Sequence, residues 1–182
     1  GASTITDAKG LYKLDVPKDK PGSLVLSGPD YVKTIVSELS IATTLDRSVP
    51  LPALTLFRLG QSALDGFDKT KGIVYLIVRT TGTCASADGG VVTVLSPPGA
   101  KLAYFDGKLP DPALTAITKS GEPDIPVVAV YNVPVGSAVT VKIDHPTCKH
   151  AAFPVTVAGI TYYGRVAVEA GDVQSVIHHY LQ

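Results

Sequence analysis

Residues 4–28, TITDAKGLYKLDVPKDKPGSLVLSG, decide the fold class. Tyr12, Leu14 and Val16 alternate with Lys13 and Asp15, and a Pro21-Gly22 pair separates that run from Ser23-Leu24-Val25-Leu26. Alternation with period two turns one face of an extended segment to a core and the other to water, and Gly and Pro mark the turns between such segments. Residues 115–143, TAITKSGEPDIPVVAVYNVPVGSAVTVKI, follow the same plan. Ile5-Thr6 recurs as Ile117-Thr118, Gly10 as Gly121, Val16-Pro17 as Val133-Pro134 and Gly22 as Gly136. Tight turns between strands need positive φ at such glycines, so the repeat has a physical basis as well as a textual one.

Working outward, strands are expected over residues 11–16, 23–26, 32–37, 73–79, 91–95, 127–131, 138–143, 153–157, 161–169 and 173–179. Val and Thr, abundant in these runs, suit a pleated and half-buried surface. One stretch breaks the pattern. In LTLFRLGQSAL, residues 54–64, Leu54, Phe57, Leu59 and Leu64 are spaced as on a short amphipathic helix. It follows SVPLP and precedes DGFDKTKG, so residues 48–71 read as a linker carrying one or two helical turns. The expected organisation is a partial module over residues 1–47, this linker, and a complete module over residues 72–182.

Composition bounds the function. Of 182 residues, 45% are hydrophobic and 18% charged, enough apolar surface for a core. Lys plus Arg and Asp plus Glu both count 16, and a net charge of zero supplies no field to steer the chain onto nucleic acid or an anionic membrane. It also supplies little repulsion against self-association. No apolar run is long enough for a membrane helix. The chain has no Met, so Gly1 implies a removed leader, a trimmed initiator or a fragment. Its two cysteines, Cys84 and Cys148, flank strands, and in a strand-rich chain of this kind they are expected to form one disulfide, the alternative being two thiols in a reducing compartment.

TDAKGLYKLDVP followed by PGSLVLSGPDYV resembles the carboxypeptidase regulatory-like domain, a transthyretin-like β-sandwich. Thr6, Asp7 and Gly10 match its first turn, Tyr12 its strand aromatic, Pro21-Gly22 its second turn, and Gly28 with Tyr31 the close of the following strand. KGIVYLIV, GGVVTVLSPPGAKLAYFDG and NVPVGSAVTVKI resemble the same family in the second half. The resemblance implies an all-β fold of two transthyretin-like, Ig-like sandwich modules. The two strands that open such a module have counterparts at residues 72–78 and 90–94, but only Gly1-Ala2-Ser3 precedes Thr4, so the first module lacks its N-terminal strands. Missing strands leave backbone groups and an apolar face uncovered, to be closed by the linker, by the C-terminal segment or by a strand from another chain.

The reactive residue types do not converge on a catalytic pattern. His145, Cys148 and His150 lie close in IDHPTCKH, but a structural zinc site needs four ligands, and a second thiolate from Cys84 would consume the disulfide. His178 and His179 are adjacent in a strand and so point to opposite faces. There is no Gly-x-Ser-x-Gly elbow and no phosphate loop. Asp106, Asp111, Glu122, Asp124 and Asp144 fall in turns and loops, where Asp serves as turn former or calcium ligand. Residues 104–112, YFDGKLPDP, are expected to form an exposed contact loop led by Tyr104, Phe105 and Asp106. The expected function is therefore that of a non-enzymatic, secreted or cell-surface structural or assembly protein without a cofactor, its partner a second copy of itself in an oligomer, filament or layer. A carbohydrate- or small-ligand-binding module is the alternative, against which the absence of Trp and an aromatic share of 7% weigh.

Overall fold

The computed structural model describes residues 2–7, 11–42, 51–107, 109–118 and 126–182. The expected turns at residues 7–10 and 115–121 fall partly outside these, as does the start of the linker. The fold is all-β and sandwich-like, with one short helix. In chain order the elements are β1 (Gly22–Gly28), β2 (Tyr31–Ile41), α1 (Leu54–Ser62), β3 (Gly72–Thr80), β4 (Val91–Ser96), β5 (Lys101–Asp106), β6 (Leu109–Pro110), β7 (Val127–Val133), β8 (Thr140–Asp144), β9 (Val155–Val157), β10 (Ile160–Tyr162) and β11 (Val173–Leu181).

Nine strands form one mixed sheet in the order β6-β5-β7-β3-β11-β2-β10-β9, with β1 hydrogen-bonded to β2. The hairpin β1–β2 and the strands that follow residue 72 thus share a sheet. The C-terminal strand makes the join. It runs parallel to β2 on one side, Gln174 facing Thr34 and Val176 facing Val36, and parallel to β3 on the other, Gln174 facing Ile73 and Leu181 facing Thr80. A buried polar pair marks the first of these seams, where Gln174 Nε2 donates to Thr34 Oγ1 at 2.8 Å, and the neighbouring Ser175 hydroxyl donates to Ala167 O, in the connection before β11, at 2.6 Å. A polar pair removed from water is tolerated only when bonded in this way.

The centre of the sheet is covered on both faces. On one side β4 and β8 pair into a two-stranded sheet, and Val92, Val141 and Ile143 pack on Val74, Leu76, Val78, Val128, Val130 and Ile177. On the other side α1 lays Phe57, with Leu54 and Leu64, over Val32, Ile73, Ala129 and Tyr131. The helix lacks a side-chain cap, and the linker is anchored by backbone instead: Leu54 N–H donates to Asp30 O and Val32 N–H to Pro52 O. Strands buried on both faces read as continuous apolar runs, as GIVYLIV in β3 does. A third cluster, Ala151, Ile160, Tyr162 and Tyr180, fills the end of the sheet where β9 and β10 extend β2.

Two expectations are corrected. Residues 11–16 form no strand, and the expected strand over residues 161–169 stops at Tyr162. Conversely, residues 101–106 are a strand in the sheet. The helix stands where the spacing placed it.

Candidate functional site

Cys84 and Cys148 form a disulfide, with Cα atoms 5.5 Å apart. It ties the loop after β3 to the loop after β8. His145 braces the second loop. Its Nδ1 accepts from the backbone N–H of Thr147 and Cys148, at 3.2 and 3.1 Å, which leaves Nε2 to donate to Asp88 O at 2.9 Å. This histidine is committed to loop structure by both ring nitrogens.

His150 and His179 meet beyond the disulfide. Ile143 N–H donates to His150 Nδ1, so His150 Nε2 carries the proton and donates to His179 Nδ1 at 2.9 Å. The His179 ring stands edge-on to Phe153 at 5.1 Å and is 4% exposed. Burial, with His150 and His178 adding to it, pushes the His179 imidazole down to about 3. Burial likewise lowers His150, against the pull of Asp144. Both rings are therefore neutral at physiological pH. The backbone closes the same contact: Ala151 N–H donates to Tyr180 O, while Lys149 and Gln182 exchange N–H···O bonds in both directions. The arrangement docks the disulfide loop on β11. His178 points to the other face, against the Tyr162 ring at 5.2 Å. Among the described residues no three His, Cys, Asp or Glu side chains are grouped to hold a metal ion.

The expected contact loop is built differently. Tyr104 and Phe105 are buried, 7% and 8% exposed, and lie on β5. They point to opposite faces. Val92 N–H donates to the Tyr104 hydroxyl at 2.9 Å, which ties β5 to the small sheet, and Phe105 meets Tyr75 edge-on at 5.9 Å beneath the helix. Asp106 alone of the three is exposed. Of the loop carboxylates, Asp111 accepts from Ala113 N–H as a turn former and Asp144 pairs with Lys142 at 2.6 Å; Glu122 and Asp124 lie outside the described residues. A shallow recess lined by Gly22, Ser23, Glu38, Arg165, Val166 and Ala167 holds one ion pair, Arg165 to Glu38 at 2.8 Å.

Exposed apolar residues gather elsewhere. Ile5 is 91% exposed, Leu11 65%, Val16 45% and Tyr12 36%, all on the segment before β1. Within β1, Val25 is 53% exposed, and the strand pairs with β2 alone. The opposite edge of the hairpin is closed within the chain by β11. Among the described residues, residues 11–16 thus lie in no strand and β1 keeps one free edge, two stretches that the sequence pattern places in one hairpin.

Comparison of the chain with family models, with curated proteins and with solved structures finds no match. Among the described residues no helix is long and apolar enough to cross a membrane, and the disulfide is compatible with an extracellular location.

Proposed function

We propose that the chain is a non-enzymatic structural subunit of the cell exterior that assembles with copies of itself by exchange of strands. The observation that carries this reading is the segment of residues 11–16, whose residues Leu11, Tyr12 and Val16 stand in solvent outside every strand among the described residues. Exposed apolar segments of this kind mark association surfaces. A net charge of zero opposes association little, and a disulfide suits an oxidising exterior. The resemblance to carboxypeptidase regulatory-like domains supports the same reading, with the β1–β2 hairpin as a shortened first module and residues 72–182 as a complete second one. Glycan binding has less support, because Tyr104 and Phe105 are packed into the sheet and offer no stacking platform.

Light scattering of the full chain over a concentration series tests the proposal. The expected mass rises with concentration in multiples of the 18.9 kDa chain. A constant single-chain mass would contradict it.

A further inference from the structure

Resting on the assembly reading, the geometry points to a specific joint: residues 11–16 of one copy add as a strand to the free edge of β1 in a second copy. The donor has the required pattern. Tyr12, Leu14 and Val16 share one face in an extended chain, with Lys13 and Asp15 between them on the other. Six extended residues span about 20 Å, close to the length of the seven-residue β1. Among the described residues of the single copy this segment has no place in any ladder. Its hydrogen bonds run locally, Asp7 N–H to Leu11 O at 2.8 Å and Leu11 N–H to Asp7 Oδ1 at 2.9 Å. Asp19, at the turn that follows, is held to the end of β2 by its N–H to Ile41 O at 3.1 Å.

The acceptor is distinguished from the other free edges. Edge strands are ordinarily protected by charge, proline or shortness. β1 reads GSLVLSG and has none of these. β5 and β8 carry Lys101 with Asp106 and Lys142 with Asp144, and β9 is three residues long. β4 is also uncharged, but its inward Val92 is already buried at 3% exposure and Pro97-Pro98 follow it. In β1 the inward Leu24 and Leu26 are only half-buried, so a further strand covers them. Tyr12, Leu14 and Val16 supply the apolar face that does so. Both surfaces belong to one chain, and such a head-to-tail contact generates a ring or an open filament.

Two complementary full-length variants test the joint. Leu14→Pro disables the donor, since proline cannot complete a ladder, and it removes no ladder bond that the segment makes among the described residues of the single copy. Val25→Lys with Ser27→Lys, both at exposed positions, charges the acceptor edge. Each variant alone is expected to lose assembly and remain at single-chain mass. An equimolar mixture is expected to give a 1:1 dimer and nothing larger, because one intact donor meets one intact acceptor. If the acceptor variant loses the wild-type far-UV circular dichroism, Ser23→Lys with Ser27→Lys replaces it. Wild-type assembly together with an inert mixture, or with a variant that still polymerises, would overturn this joint while leaving the assembly reading standing. A wild-type chain that stays single at every concentration would overturn both.

Discussion

Residues 11–16 and the centre of the large sheet are written in the same alphabet, yet they end in opposite places. LYKLDV before β1 is exposed at every position but the half-buried Leu14, while the Val and Leu side chains of β3 and β7 at positions 74, 76, 78, 128 and 130 are 0% exposed. Propensity does not separate them. The difference is the supply of partners. β3 has β7 on one edge and β11 on the other, with the small sheet and the helix against its two faces. Among the described residues, residues 11–16 pair with no strand. A strand is a relation between segments, and its stabilisation comes from cross-strand pairs and burial, not from the single segment.

The largest expected effect sharpens this comparison at its covalent anchor. The disulfide closes a stretch of 64 residues that includes β4, β5, β7 and β8. A chain-entropy argument gives its removal a cost on the order of 4 kcal/mol. Denaturant unfolding of Cys84→Ala with Cys148→Ala should show that loss, whereas a loss below about 1 kcal/mol would mean that packing alone holds the small sheet in place. Next is the sheet centre itself. Leu76→Ala should cost about 3 kcal/mol, as for other fully buried leucines, measured by the same unfolding curves.

Acid supplies a smaller effect. The folded-state pKa of His179 lies below its unfolded value, so the unfolded chain takes up protons first and stability falls as pH falls. Stability should be level above pH 6.5 and decline toward pH 3, on the order of 2 kcal/mol being lost by pH 5. His179→Gln should flatten that slope, and replacing His150 or His178, which add to the downward shift, should alter it. An unchanged slope in the variant would place the acid sensitivity elsewhere. The smallest effect is expected at the other end of the comparison. Leu14→Ala should change the stability of the dilute single chain by under about 0.5 kcal/mol, the same residue type and the same truncation as at Leu76.

Much of the fold was legible from sequence because it rests on local pattern. Most strands outside the first segment, and the helix from Leu54, lie where alternation or helical spacing put them. β5 escaped because it is buried on both faces: Tyr104 serves one core and Phe105 the other, so adjacent aromatics replace the alternation that marks a half-buried strand. Its flanking Gly99 and Gly107 then made it resemble a loop. The segment of residues 11–16 misled in the opposite way, carrying a strand's pattern without a partner strand among the described residues. Cys84 and Cys148, both beside strands, were expected to pair, but the pairing itself rests on their distance in the fold. The contact of His150 with His179 could not, because it depends on the register of β11 against the disulfide loop, 29 residues away in the chain. The parallel placement of β11 between β2 and β3 is equally non-local and left no signature in either segment.

Amide hydrogen exchange over a dilution series of the wild-type chain tests the central claim most directly. Residues 11–16 and the outward-facing amides of β1, those not bonded to β2, should exchange freely in dilute solution and become protected together as concentration rises, while β3 stays protected throughout. Protection of residues 11–16 that is the same at every concentration would show that the segment folds onto its own chain, and would contradict the account.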